Sequence, residues 1–274
     1  MSPDAATPKL RECYVISLRP VGNHAPMRRA AAAHGARVLA LSPWRIEPRR
    51  DAAARAALRE ALRADIVLFT SPAAVRAATA LQRLRARRGQ AWLAVGAGTA
   101  SALHRAGVAD VAAPERMDSE GLLALPALGT VRGRRVGLVT APGGRDLIAP
   151  ALAQRGARIF RAEVYTRIPV TPTPRALARL RSLDAPLCLA LSSGEALRMT
   201  LDALPADLLP RLGRARVLAA SERLAQLART SGFADVRVAA DARPRSLLAA
   251  AGLAPARRSR ASDSIPAPHR PPRR

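Results

Sequence analysis

The chain says nearly the same thing twice, and the spacing of the two copies limits what it can fold into. "GARVLALSPWRI" (35–46) returns as "GARIFRAEVYTRI" (156–168). Pro20 and Pro142, Gly22 and Gly144, Ser71 and Ser193, and Thr99 and Ser221 all stand 122 residues apart. Gly107 in "GVADV" and Gly232 in "GFADV" are 125 apart, which implies a small insertion. A nearly constant offset over several landmarks identifies a duplicated unit, with copies at roughly 12–125 and 134–252.

Within each copy, short apolar β-rich runs alternate with Ala/Leu/Arg stretches of helical spacing. The runs are "CYVISL" (13–18), "RVLAL" (37–41), "DIVLFT" (65–70), "AWLAV" (91–95) and "DVAA" (110–113). They continue as "RVGLVT" (135–140), "RIFRAEV" (158–164), "LCLAL" (187–191), "RVLAA" (216–220) and "DVRVA" (235–239). Strand–helix alternation predicts an α/β protein with parallel sheets, and ten strands divide naturally into two sheets of five. The echo is then the second strand of each copy.

Composition narrows the function classes. The net charge is +25, almost all of it arginine, with Lys9 the one lysine. This bias also follows from a GC-rich coding sequence, but so much fixed charge favours an anionic partner: nucleic acid, or a phosphate or polycarboxylate ligand. Aromatics are only 3%, with no aromatic stripe on which bases could stack, which argues against nucleic acid. No apolar run reaches the ~18 residues of a membrane span, and the first twelve residues carry no apolar signal region, so a cytoplasmic protein is expected. Cys13 and Cys188 read as lone buried thiols. His24, His34, His104 and His269 have no second ligand at helical spacing, so no metal site is expected. The last twenty residues, 255–274, carry six arginines and little apolar content, so this tail is expected to be disordered.

Open parallel sheets bind ligands at the carboxyl ends of their strands, where helix N-termini offer free N–H groups. Candidate turns recur there: Arg19 with "PVG", Thr70-Ser71-Pro72, Gly96 to Thr99, "APGGRD" (141–146) with Gly143, Gly144 and Arg145, Ser193 after Ser192, and Ser221. Each Ser or Thr taken singly is also an ordinary helix cap. Together they make two rows of anion-seeking donors. "GAGTAS" (96–101) is not a dinucleotide fingerprint, because Ser101 stands where the third glycine belongs and the run follows a fourth strand. "PGGRD" lacks the ending of a P-loop. There is no G-x-S-x-G elbow and no paired carboxylate.

In this order and spacing, "SLRP", "LFTSPAAV", "AVGAGTASAL", "SEGLL" (119–123), "GGRDLIAPALAQRGARI", "VYTR", "LSSGEAL" and "GFADVRVA" resemble the uroporphyrinogen-III synthase family, from about Cys13 to Gly252. The resemblance implies two similar lobes, each a parallel sheet flanked by helices, joined by a two-stranded connector. Lobe one would be 12–40 plus 169–254, lobe two 48–158, and the connectors 41–47 and 159–168. It implies hydroxymethylbilane, a linear tetrapyrrole with eight carboxylates, as substrate. The product would be uroporphyrinogen III, formed with loss of water and inversion of ring D, without metal or organic cofactor. Tyr165 matches the family's tyrosine and is the candidate acid, or else a connector residue that only packs. Arg19, Ser71, Gly96, Thr99, Gly143, Gly144, Arg145, Ser193 and Ser221 are the candidate substrate contacts. A monomer is expected, with hydroxymethylbilane synthase, the preceding enzyme, as a candidate partner. The chain departs from the pattern in Trp44, where the second copy has Tyr165, in "ASERLA" (220–225) and in the basic tail. Two other readings stay open: a non-catalytic two-lobed module whose tail contacts nucleic acid or an acidic surface, and a doubly wound nucleotide-binding protein.

Overall fold

The computed structural model describes residues 12–114, 119–143 and 147–252. The expected tail at 255–274, and Gly144 and Arg145, lie outside them. In chain order the strands are β1 (Tyr14–Ser17), β2 (Arg37–Ala40), β3 (Trp44–Pro48), β4 (Ile66–Phe69), β5 (Ala91–Ala94) and β6 (Arg135–Thr140). They continue with β7 (Arg158–Glu163), β8 (Tyr165–Pro169), β9 (Leu187–Leu191), β10 (Arg216–Ala219) and β11 (Val236–Val238). The helices are α1 (Ala25–Ala32), α2 (Ala52–Ala61), α3 (Pro72–Leu81), α4 (Ala97–Arg105), α5 (Ser119–Leu123) and α6 (Ile148–Gln154). After them come α7 (Pro174–Ser182), α8 (Gly194–Ala203), α9 (Leu209–Gly213), α10 (Glu222–Thr230) and α11 (Pro244–Ala249).

The strands form a five-stranded sheet in the order β11-β10-β9-β1-β2, a four-stranded sheet in the order β5-β4-β6-β7, and a two-stranded ladder of β3 with β8. Both larger sheets are parallel throughout and the ladder is antiparallel. Each large sheet takes two strands from the first copy of the repeat and the rest from the second, so the duplication is exchanged between the sheets. Expected strand 110–113 is reduced to a single parallel bridge, Ala112 to Leu93. Pro114 follows at once and offers no N–H to extend the ladder.

Burial follows the sequence pattern. The wholly apolar runs of β4 and β9 are buried on both faces, as strands covered by helices on each side must be. One core carries Trp44 on the β9 sheet, and another carries Tyr165 on the β4 sheet. Ile46 of β3 packs against both. The echoing segments do not form the connector themselves. Residues 37–40 and 158–163 are edge strands of the large sheets, and the ladder begins after them, at Trp44 and Tyr165, later than the 41–47 and 159–168 expected. The ladder registers Trp44 with Pro169 and Pro48 with Tyr165.

The repeat also needs a local correction. Ser71 and Ser193 are equivalent, since each caps a ten-residue helix at the 122-residue offset. Ser221 caps α10, whereas the residue capping α4 is Gly96, so the partner of Ser221 is Gly96 and not Thr99. The extra residues therefore enter before β10, in the helical segment around α9.

Two contacts inside this frame make measurable predictions. A methyl added at Gly137, in the interior of β6, would stand 2.0 Å from the carbonyl oxygen of Ala61 at the end of α2. The obstacle is backbone and cannot rotate away, so Gly137→Ala is expected to cost about 3 kcal/mol or more, read from the urea midpoint. At the start of α1, His24 is 5% exposed and bonds Ser17 Oγ at Nδ1 (2.9 Å) and Ser42 Oγ at Nε2 (2.8 Å). Burial above all, then Arg28 and Arg19, lowers its pKa to about 4. As pH falls, the unfolded chain therefore takes up this proton first. The contribution to stability is complete above pH ~6.5 and is lost between there and ~4, on the order of 2–3 kcal/mol. His24→Gln is expected to give a shallower fall of stability with pH across that window than the parent chain, measured by denaturant titration at stepped pH.

Candidate active site

The carboxyl ends of the parallel strands carry turns that fold for local reasons. At the end of β4, Ser71 adopts extended backbone and its Oγ accepts from the N–H of Ala74 at 3.0 Å, while Pro72 opens α3. Ser193 and Ser221 cap α8 and α10 in the same way, at 3.2 and 3.4 Å. Gly143, after β6, has φ +72°, and Gly22, after β1, has φ +79°. Both turns use the left-handed backbone that glycine adopts without strain.

Tyr165 and Ser71 are brought together although 94 residues separate them. The Tyr165 hydroxyl lies 3.1 Å from Ser71 Oγ. Tyr165 opens β8 and its ring sits in the core of the β4 sheet at 3% exposure. Next to this pair, at the ends of β4 and β6, the Thr70 hydroxyl donates to Thr140 Oγ1 at 2.9 Å. The pair thus stands at the N-terminus of a ten-residue helix, where unpaired N–H groups and the helix dipole favour negative charge.

The remaining expected residues divide between the two sheets. Gly96, Thr99 and Gly143 follow strands of the β4 sheet. Arg19, Ser193 and Ser221 follow strands of the β9 sheet. Thr99 is 2% exposed in the first turn of α4, so its hydroxyl is not a surface group, and a ligand at this turn meets backbone instead. Arg19 is different. Its Nε is buried without a hydrogen-bond partner, and burial lowers its pKa from the usual arginine value.

The two sheets meet beside these turns. On α3, Arg76 donates from Nη2 to Asn23 Oδ1 at 3.2 Å, joining the β4 sheet to the β1–α1 turn. The connector reaches the β9 sheet's side too: Arg167 of β8 donates to Glu195, in the first turn of α8, at 2.7 Å and lies 5.3 Å over the Trp44 ring. The His24 clamp, the Thr70–Thr140 pair and the Asn23–Arg76 bridge are not evident from sequence. Their partners are 7 to 70 residues apart and follow no motif. A surface depression of ≈ 370 Å³ lies elsewhere, lined by Arg83 to Ala86 and Ala106 to Asp110, and includes none of these residues. Among the described residues no group of three or more His, Cys, Asp or Glu side chains is placed to hold a metal ion.

This arrangement of a duplicated, exchanged α/β fold has relatives. A family model described as Uroporphyrinogen-III synthase HemD matches residues 25–249. The chain is 35% identical over 161 residues to the uroporphyrinogen-III synthase of Salmonella typhimurium and 34% identical over 161 residues to that of Escherichia coli. Each alignment covers 58% of this chain and 65% of the relative, so the chain spans just under two thirds of their length. In fold it is similar to a mutant uroporphyrinogen III synthase of Thermus thermophilus, with TM-score 0.55 and 22% identity over 86% of this chain and 96% of that one. It is equally similar to uroporphyrinogen-III synthetase of Helicobacter pylori, with TM-score 0.55 and 13% identity over 87% and 97%. The strand-end turns, the exchanged sheets and the match over residues 25–249 agree: the chain belongs to the uroporphyrinogen-III synthase family.

Proposed function

We propose that the chain converts hydroxymethylbilane to uroporphyrinogen III, with loss of water and inversion of ring D, at the strand ends shared by the two large sheets. The observation that carries this reading is the Tyr165–Ser71 hydrogen bond at the N-terminus of α3, in a chain of this family. We divide the chain into lobe one, 12–40 plus 169–254, and lobe two, 48–158 with the rest of β7 to Glu163 added, a division supported by which strands share a sheet. Both rows of turns come from one chain, which supports a monomer. Hydroxymethylbilane synthase, which makes the substrate, is the proposed partner, and the cytoplasm the proposed location. No described helix is long and apolar enough to cross a membrane.

Loss of the substrate's hydroxyl leaves a cation delocalised into its pyrrole, and the hydroxyl needs a proton to depart as water. Tyr165 supplies that proton in this reading. The phenolate left behind keeps Ser71 as a hydrogen-bond donor, because Ser71 Oγ accepts from the Ala74 N–H and retains its own proton to give. The positive end of α3 adds to this. Ring D then attacks through its substituted carbon, forming a spiro intermediate that reopens and recloses with the ring inverted. A proton lost from the final ring balances the one that left with water. The role of the fold is to hold the bilane curled for that attack, with backbone N–H groups and Arg19 taking its carboxylates.

Purified protein given hydroxymethylbilane without added metal or nucleotide is expected to yield mainly the type III isomer. Accumulation of only the spontaneously formed type I isomer at every enzyme concentration refutes the assignment. A second outcome separates the two readings of the buried tyrosine. Tyr165→Phe keeps the ring in its core, and is expected to lower kcat by roughly 10- to 100-fold with KM little changed, the low end of general-acid assistance. Full kcat at unchanged stability makes Tyr165 a packing residue of the connector. Ser71→Ala is expected to lower kcat and also to remove a helix cap, at about 1 kcal/mol of stability.

A further inference from the structure

Arg19 is held half-buried on the turn after β1. Burying one guanidinium nitrogen without an acceptor costs folding free energy, and a site built for stability alone would pair it. Its Nε is buried and unbonded, and no hydrogen bond or ion pair to Arg19 occurs among the described residues. Other arginines nearby are matched: Arg167 has Glu195 and Arg76 has Asn23.

The turn that carries Arg19 is fixed from several sides. The Val21 N–H donates to the Trp44 carbonyl at 3.0 Å, and the Asn23 N–H to the Pro20 carbonyl at 2.9 Å. Arg76 reaches Asn23 from α3. At the end of the turn His24 spans the gap between Ser17, the last residue of β1, and Ser42, in the segment that leads into β3. A neutral imidazole donates from one ring nitrogen and accepts at the other, so it can satisfy two hydroxyls on opposite sides. It also adds no charge beside Arg19 and Arg28. The ring therefore locks the Arg19 turn to the root of the connector whose partner strand begins with Tyr165.

We infer that His24 is a positioning residue, which holds the half-buried Arg19 in place as the anchor for one carboxylate of the substrate; this rests on the function proposed above. The carboxylate completes the ion pair that the fold leaves open. The two residues therefore act as one unit: without Arg19 the clamp has nothing to position, and without the clamp Arg19 loses its aim.

A double-mutant cycle tests this, with KM for hydroxymethylbilane and Kd for uroporphyrin III, an eight-carboxylate porphyrin, read by tryptophan quenching. Arg19→Gln is expected to raise both by roughly tenfold or more, with a thermal midpoint equal to or above the parent's, since a buried, unbonded Nε has gone. His24→Leu is expected to raise both by about tenfold with kcat within about twofold, and to add nothing in the Arg19→Gln background. His24→Gln, which keeps a donor and an acceptor, recovers part of the loss. Ser42→Ala, which removes one half of the clamp from its partly exposed side, gives a smaller loss of the same kind if His24→Leu fails to fold. Independent, multiplying effects of the two substitutions overturn the inference, as does a lower midpoint for Arg19→Gln with KM unchanged. If the parent chain makes the type III isomer and the cycle is additive, this inference alone fails. If the parent chain neither binds the porphyrin nor turns over the bilane, the proposed function fails and takes this inference with it.

Discussion

The antiparallel ladder of β3 and β8 is the element on which the rest of the molecule depends. The chain passes between the two large sheets only along these strands, and each sends its leading aromatic residue into a different core. Trp44, 5% exposed, belongs to the core of the β9 sheet, and Tyr165 to that of the β4 sheet. Ile46 touches both cores. The ladder is five residues long and bounded by Pro48 and Pro169, which cannot donate to further pairing. Its aim therefore comes from side chains. On β8, Tyr165 reaches the cap of α3, and two residues later Arg167 reaches the first turn of α8. Those helices are the equivalent members of the two copies, each capped by a serine, so one strand ties together the matching corners of a duplicated structure.

Duplication explains the frame, and divergence within it explains the site. Ser71 and Ser193 do the same local work, each accepting from the N–H three residues on. Only Ser71 has a tyrosine hydroxyl beside it. In the first copy the position that leads the connector strand is Trp44, whose indole Nε1 is buried without a partner and whose ring lies under Arg167. An indole can only donate, whereas a phenol can donate and then accept. The two copies therefore offer the same helix terminus with different chemistry in front of it, and only one of them has a group able to give up a proton and be held afterwards.

The sheets were legible in the sequence because buried parallel strands are short apolar runs, and β6 and β9 fall on the runs read for them. The connector limits were less legible. The runs at 37–41 and 158–164 end within a residue of β2 and β7, but the connectors expected from the resemblance, 41–47 and 159–168, start earlier than the ladder at Trp44 and Tyr165, and the second overlaps β7. Thr99 and Ser221 share the 122-residue offset without being equivalent, because the helical insert around α9 shifts the register before β10 rather than after the cap. Of the site, the strand-end turns could be found because serine, glycine and proline mark helix starts. His24 could not. A lone histidine signals a metal only through neighbouring ligands, and its actual partners are two hydroxyls 7 and 18 residues away that meet only in three dimensions.

Charge, too, is legible in amount but not in place. A net charge of +25 suggests an anionic partner, but it does not say where that partner sits. Many of the arginines form exposed local pairs, such as Arg181 with Asp207 and Arg229 with Glu222, which contribute little in high dielectric. Others add a uniform field that any anion would feel. Arg19 differs in place: it stands on the turn after β1, half-buried, with its Nε buried and unbonded. Long-range attraction can bring an eight-carboxylate chain to the molecule, but a field does not distinguish one carboxylate from another. In the proposed reaction, orienting the bilane so that ring D attacks through its substituted carbon needs fixed points, and a half-buried guanidinium on a turn locked by a neutral ring would be such a point. Under that proposal, the folding free energy lost by leaving the Arg19 Nε unbonded would be recovered when a carboxylate accepts from it, which would tie the stability of this corner to the occupancy of the site.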